Sequence, residues 1–382
     1  MSSPWFEKLN SYVRRTGNWL SGKWEQLRFR WAGEAEPEPA APLAVPDDLS
    51  GRMAEAVLPE VSDDFETRLR VAAAREHAMQ PLQGQARERS CPAGESWFSR
   101  RRDYLVYTPA GYDGHERLPL VVVLHGCRQT QHDIRAISGF DAIADRERFI
   151  VVYPFVTGYW SPRNRNCWAW WMSFHIRAGS GEVEDIGRIV AQVQDEFRVD
   201  PQRIHITGLS SGAGMTVAAL VAHGRLFASG ASVAGVAYGE TARAVRISAF
   251  LPIRYRPLRD IVGRMCAEVA ASGRGHPAPL LVIQSAGDET VELQAGLNLR
   301  DSWLAVKGID AEQVQIVREN TRDINWHYLR YGQPGSAESV DFLSTEKLPH
   351  AWIGGLPGDY SDARGPNISE VIWLYFRSTS TG

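Results

Sequence analysis

Arg203-Ile204-His205-Ile206-Thr207-Gly208-Leu209-Ser210-Ser211-Gly212-Ala213-Gly214-Met215 passes from a strand pattern, through a glycine-flanked serine, into a helical run. It reads G-x-S-x-G in a strand–turn–helix context, the arrangement that presents a serine hydroxyl on a sharp turn at the edge of a sheet. Glycine is needed on both sides because a side chain there would crowd the neighbouring strand or helix. Ser210 then sits at the positive end of the following helix, where developing negative charge is favoured. A glycine-rich turn without chemistry is the competing reading, and the strand before and helix after weigh against it.

Outward from this turn the chain alternates. Tyr104–Thr108, Leu118–Leu124, Phe149–Tyr153, Ala231–Val236 and Pro279–Gln284 are short aliphatic or β-branched runs, and segments such as Glu182–Phe197 and Thr216–His223 have helical spacing. A strand as apolar as Leu118–Leu124 belongs inside a sheet covered on both faces. Strand alternating with helix implies right-handed crossovers and a mostly parallel sheet, so the expected fold class is α/β. Ligand sites in such sheets lie off the carboxyl ends of the strands, which makes the residues just after each strand the ones to search.

A serine hydroxyl needs a base, and in this architecture the order is serine, acid, histidine. Downstream of Ser210 stand His223, His276, His327 and His350. His223 ends the serine's own helix, His276 precedes a strand on its amino side, and His327 lies within the alternating stretch Ile324–Tyr331. His350 follows the strand-like Val340–Leu343 and the loop Ser344–Pro349, so it is the expected base. The acid is expected in Ser285-Ala286-Gly287-Asp288-Glu289-Thr290-Val291, the loop after Pro279–Gln284. Asp288 is preferred to Glu289 as the shorter and nearer, its competing role being a helix cap. For the oxyanion, the backbone N–H of Ser211 supplies one donor, and the loop His125-Gly126-Cys127-Arg128-Gln129 supplies a second, expected at Cys127.

The chain has 382 residues, 42 Lys and Arg against 45 Asp and Glu, and a formal net charge of −3. That balance argues against a nucleic-acid binder resting on a broad basic face. Apolar runs of seven or eight residues are far short of the roughly 20 a spanning helix needs. Four cysteines make no disulfide framework and lack the paired spacing of a zinc site; acyl transfer through a serine needs no metal or organic cofactor, so none is expected. Residues 1–32 form a basic amphipathic segment, with Trp5, Leu9, Val13, Leu20, Trp24, Leu27 and Trp31 at helical spacing. It reads either as an anchor of residues 1–31 on a membrane or polymer surface, or as a helix packed on the main domain. Residues 33–48 are an acidic, Pro-rich linker, 49–95 a helical extension, and 96–382 the catalytic domain. Without a signal peptide the expected compartment is the cytoplasm; the alternative is extracellular, as for many relatives of the type named next.

About residues 100–376 resemble the esterases of the polyhydroxybutyrate depolymerase type, within the α/β-hydrolase superfamily, a grouping that also holds feruloyl and acetylxylan esterases. The resemblance rests on His125-Gly126-Cys127 with Gln129, Cys167-Trp168-Ala169-Trp170, Gly181-Glu182 with Asp185, Gly208-Leu209-Ser210-Ser211-Gly212, Val233-Ala234-Gly235, Asp288 with Val291, and His350-Ala351-Trp352 with Gly354-Gly355. It implies Ser210 as nucleophile, Asp288 as acid, His350 as base and Cys127 as an oxyanion residue. Gln284-Ser285 departs from the usual His-Gly before the acid loop, and Ile353 stands where proline is common. The two cysteine motifs should converge on one rim, which raises a Cys127–Cys167 disulfide as a hypothesis that the sequence leaves open.

Trp160, Trp168, Trp170 and Trp171 fall within twelve residues, and Trp352 follows His350. Trp170 and Trp171 are read as core; Trp168 and Trp352 are expected to touch substrate as an aromatic platform. The expected activity is serine carboxylesterase action on short polyesters, of polyhydroxybutyrate or polylactide type, or on small acyl esters. The alternatives are a feruloyl- or acetylxylan-type esterase, and a particle-surface binding protein with a degenerate hydrolase body.

Overall fold

The structure, a computed structural model, describes residues 63–77, 81–156, 166–273, 277–332 and 339–379. The basic segment 1–32, the linker 33–48, the start of 49–95, Trp160 and His276 lie outside the described residues. Ten strands form one sheet in the order β1-β2-β4-β3-β5-β6-β7-β10-β9-β8. They are β1 (Gln85–Cys91), β2 (Arg102–Thr108), β3 (Leu118–Leu124), β4 (Ile150–Pro154), β5 (Val199–Leu209), β6 (Ser229–Val233), β7 (Leu280–Ser285), β8 (Val314–Thr321), β9 (Ile324–Tyr331) and β10 (Val340–Thr345). The six strands from β4 to β10 in that order run parallel. Antiparallel strands close both edges.

Every residue of β3 is buried, as its unbroken apolar sequence requires. Pro119 has no N–H to give the ladder, and the β3–β5 register shifts there: Leu118 faces Val199, whereas Leu120 faces Ile204. The first strand corrects the expected domain boundary. Residues 85–91, assigned to a helical extension, pair along their whole length with β2, so the sheet begins before residue 96. Within 49–95 the described helix is α1 (Asp63–Ala74), and the Asn367 amide donates to its Ala73 carbonyl at 2.8 Å.

Helices α2 (Gln131–Ser138), α3 (Phe140–Glu147), α4 (Gly181–Glu196), α5 (Ser211–Ala222), α6 (Leu258–Ser272), α7 (Leu293–Lys307) and α8 (Ile368–Thr379) complete the described elements, with short 3₁₀ turns at Ser173–His175 and Ala242–Ala244 and ladder strands at Trp352–Ile353 and Ser361–Asp362. Every residue of α5 is buried. It is the innermost helix, and its first turn carries the glycine-flanked serine. Among the described residues no helix is long and apolar enough to cross a membrane.

Two wholly buried histidines tie the fold to pH. Burial pushes His125 down to about 4 and His205 to about 3. The unfolded chain, with histidines near 6.5, binds protons there that the folded chain refuses, so folding is favoured above about pH 6.5 and the advantage is lost as pH falls towards 4. The two together are worth several kcal/mol on that scale. Thermal unfolding followed by circular dichroism is expected to show Tm falling steadily from pH 6.5 to pH 4.5. A flat Tm over that interval would contradict the neutral, buried state of both rings.

Candidate active site

Ser210 joins β5 to α5 with φ +57° and ψ −115°, a conformation side-chain-bearing residues rarely adopt. Its amide donates to Val233 O at the end of β6 (2.9 Å), and its carbonyl accepts from Gly214 N (3.0 Å), so the turn is pinned from both sides. The flanking glycines are steric necessities. A Cβ on Gly208 would stand 2.7 Å from Gly212 C, and one on Gly212 would stand 2.4 Å from Leu124 O. Both distances are below any real contact, so the elbow read from the sequence is the elbow in the structure.

The loop after β3 is knitted by side chains. Gly126 N donates to Gln129 Oε1 (2.8 Å), and Gln129 Nε2 donates to Asp359 O (3.3 Å). His125 receives the Val156 amide at Nε2 (3.2 Å), which leaves Nδ1–H to donate to Gly126 O (2.8 Å). Its burial keeps the ring neutral, so this tautomer holds the loop. The amides of Cys127 and Ser211 have no protein acceptor among the described residues. Ser211 opens α5, where the helix dipole adds to its pull on negative charge.

Cys127 is bonded to Cys167, which settles the pairing the sequence left open, with Cα atoms 4.2 Å apart; Cys91 and Cys266 are free. The segment after Cys167 is held in turn by Glu182, fully buried at the start of α4, whose Oε2 accepts from Ala169 N (2.7 Å). Nearby, Arg102 and Asp185, both buried, pair at 2.8 Å. Of the motif residues Glu182 and Asp185, Glu182 thus braces the segment after Cys167, while Asp185 also accepts from Ser99 Oγ and ties α4 to the approach to β2.

Asp288 and His350 meet. His350 Nδ1 and Asp288 Oδ2 lie 2.7 Å apart, with Asp288 buried and the imidazole nearly so. Asp288 Oδ1 accepts from the amides of Thr290 and Val291, each at 2.8 Å. The turn-capping role and the contact with histidine therefore coexist on one carboxylate, one oxygen for each. Among the described residues no hydrogen bond joins Ser210 Oγ to His350. The other histidines are elsewhere: His223 faces Glu184 on α4, and His327 lies within β9.

The tryptophan expectation is corrected. Trp168 and Trp352 are wholly buried. Trp352 Nε1 donates to Ser369 Oγ (2.9 Å) and its ring meets Phe140 edge-on, while the Trp168 ring lies 5.7 Å from that of His125. Both stand behind the site as packing, with no surface to offer a substrate. Trp170 is also buried, and its ring lies so close to Gly214 that a Cβ there would come within 2.7 Å of it.

A ten-stranded, mostly parallel sheet with helices and a serine elbow at the carboxyl end of a central strand defines an α/β-hydrolase. A profile described as Esterase PHB depolymerase matches residues 102–324, and the chain belongs to that family. Poly(3-hydroxyalkanoate) depolymerase C of Paucimonas lemoignei is 37% identical over 133 residues, 35% of this chain and 31% of that protein. An acetylxylan esterase of Coprinopsis cinerea is 35% identical over 136 residues, 35% of each chain. The chain thus matches about a third of the length of these curated relatives. Among solved structures, the acetyl xylan esterase of Aspergillus awamori superposes with a TM-score of 0.54 at 18% identity, over 76% of this chain and 99% of that one, a likeness of fold.

Proposed function

We propose that this chain is a serine carboxylesterase acting through an acyl-enzyme, with a water-insoluble aliphatic polyester of the polyhydroxybutyrate or polylactide type as substrate. The observation that carries the chemistry is the His350–Asp288 contact, which hangs off strands on the same side of the sheet as the Ser210 elbow. In this reading His350 Nε2 takes the Ser210 proton as Oγ attacks the ester carbonyl. The Cys127 and Ser211 amides hold the negative oxygen, and His350 returns the proton to the departing alcohol. Water, deprotonated by the same imidazole, then releases the acid and restores Ser210. The step requires no metal or organic group.

A loop favours a polymer over a small soluble ester. Between β6 and α6, Ile247-Ser248-Ala249-Phe250-Leu251-Pro252-Ile253 carries no charge, and Phe250 is 94% exposed beside half-exposed Ile247 and Leu251. The base of the loop is firm. The Glu240 carboxylate accepts from the amides of Thr241 and Arg256, and Arg254 N donates to Arg243 O. Arg246 fixes the loop to the acid-bearing turn through Glu289 O and Thr290 O. An apolar tip carried on such a hydrogen-bonded base supports a contact surface, here one whose anchor Arg246 bonds the turn that follows Asp288.

The test compares soluble p-nitrophenyl butyrate, an amorphous polyhydroxybutyrate suspension and acetylated xylan. Wild type is expected to turn over the first two. A Phe250→Ser, Leu251→Ser chain is expected to keep soluble turnover within about twofold and to lose polymer hydrolysis about tenfold or more, the worth of one or two buried apolar side chains. Hydrolysis of acetylated xylan with the polyester untouched would replace the substrate and leave the esterase chemistry standing.

A further inference from the structure

We infer that Ser285 is a positioning residue that clamps the histidine-bearing loop to the acid-bearing loop and thereby sets the His350–Asp288 contact. The inference rests on the reading of Asp288 and His350 as acid and base. Ser285 ends β7 and Thr345 ends the neighbouring parallel β10, and the two residues are paired, so both loops leave the sheet at one level. Ala286 N donates to Thr345 O (2.8 Å), which carries the ladder one step further. Beyond it the two backbones touch: a Cβ on Gly287 would lie 2.7 Å from Lys347 C and 2.9 Å from Leu348 N.

Across this narrow passage the buried Ser285 hydroxyl uses its whole hydrogen-bonding capacity. It donates to Leu348 O (2.6 Å) and accepts from Leu348 N (3.1 Å) and Gly287 N (3.1 Å). Both polar groups of one peptide residue are held by a single oxygen, which fixes the position and the rotation of Leu348. Pro349 follows with its φ locked by the ring, so little torsional freedom separates the clamp from His350. On the other side Asp288 is fixed by its own loop. Gln284 Nε2 donates to Val291 O (2.6 Å) and stands 3.4 Å from Asp288 Oδ2. Among the described residues the side-chain ties between the two loops are the Ser285–Leu348 pair and the His350–Asp288 bond itself. Ser285 occupies one of the positions where this sequence departs from the usual His-Gly.

The experiment is a double-mutant cycle in the full chain on p-nitrophenyl butyrate, at enzyme concentrations where residual rates are measurable. Ser285→Ala is expected to lower kcat about ten- to a hundredfold, the scale of a displacement of about an ångström at a reacting group, with KM within about twofold. Ser285→Thr keeps the hydroxyl and is expected to stay close to wild type. In an Asp288→Asn background, where the imidazole is held in the tautomer that cannot accept the Ser210 proton, Ser285→Ala is expected to change kcat less than about twofold. Equal losses in the two backgrounds, or a lowered Tm with kcat intact, would show that Ser285 only satisfies Leu348 and would overturn the inference. If Ser285→Ala does not fold, Ser285→Cys, close in size and a poor hydrogen-bonding group, is expected to lose kcat in its place; retained kcat there is equally fatal. A wild type without Ser210-dependent turnover fails the functional reading first, a result distinguishable from either.

Discussion

Ser210→Ala is expected to lower kcat for p-nitrophenyl butyrate by about 10⁴- to 10⁶-fold while leaving Tm within a degree or two of wild type. The kinetic loss is large because no other hydroxyl can take its place. The fully buried turn around it leaves no slack for a neighbouring side chain, and every other serine near the elbow lacks the strained φ of +57° that turns Oγ outward. A loss of that size corresponds to about 5–8 kcal/mol of transition-state stabilisation. The structural loss is small for a separate reason. The Ser210 side chain is part-exposed and makes no hydrogen bond among the described residues, and alanine inherits the same backbone strain that serine bears. Stopped assays and circular dichroism on the purified pair measure both halves. Retention of more than about one per cent of the wild-type rate would remove Ser210 as nucleophile.

How far such a result could be foreseen from the sequence depended on where each residue's partners lie along the chain. The apolar run Leu118–Leu124 forms a strand with those same ends, since a strand buried on both faces has no polar position to blur it. The elbow was equally legible, because its glycines answer to atoms a few residues away or to the strand beside it. The polar strand Gln85–Cys91 was not. It is an edge strand mostly open to solvent, so its side chains carry no alternation, and only its pairing with β2 reveals it.

The tryptophans failed for a related reason. Clustering in sequence says nothing about which way a ring points, and the group that draws Trp352 inward, Ser369, arrives from α8. Ser285 likewise read only as a departure from a motif near the site, because the residue it holds is 63 positions away. Asp288 and His350 could be singled out from chain order and loop position, whereas the contacts that hold them are long-range and belong to the folded chain.

Asp288→Asn carries the second large effect, about a 10⁴-fold fall in kcat. Its sign follows from the donors around the carboxylate. Oδ1 accepts two backbone amides, from Thr290 and Val291, and Oδ2 faces His350 Nδ1. Asparagine has one oxygen and one NH₂ to share between these places. With the oxygen towards the two amides, the NH₂ faces His350, Nδ1 must become an acceptor, and the proton moves to Nε2, where the imidazole can no longer receive one from Ser210. With the oxygen towards His350, the tautomer survives, but the NH₂ confronts two amide donors and leaves them unpaired in a buried turn, at about 1–3 kcal/mol each. The first arrangement keeps both backbone donors paired and gives up only the long 3.4 Å approach of Gln284 Nε2, which retains its bond to Val291 O, so it is the one the protein adopts. The expected signature is therefore a collapse of kcat with Tm nearly unchanged. The opposite pair of results, kcat within about tenfold of wild type and a Tm lowered by several degrees, would mean that the side chain flips and that the two amides, not the imidazole, are the weaker claim on this carboxylate.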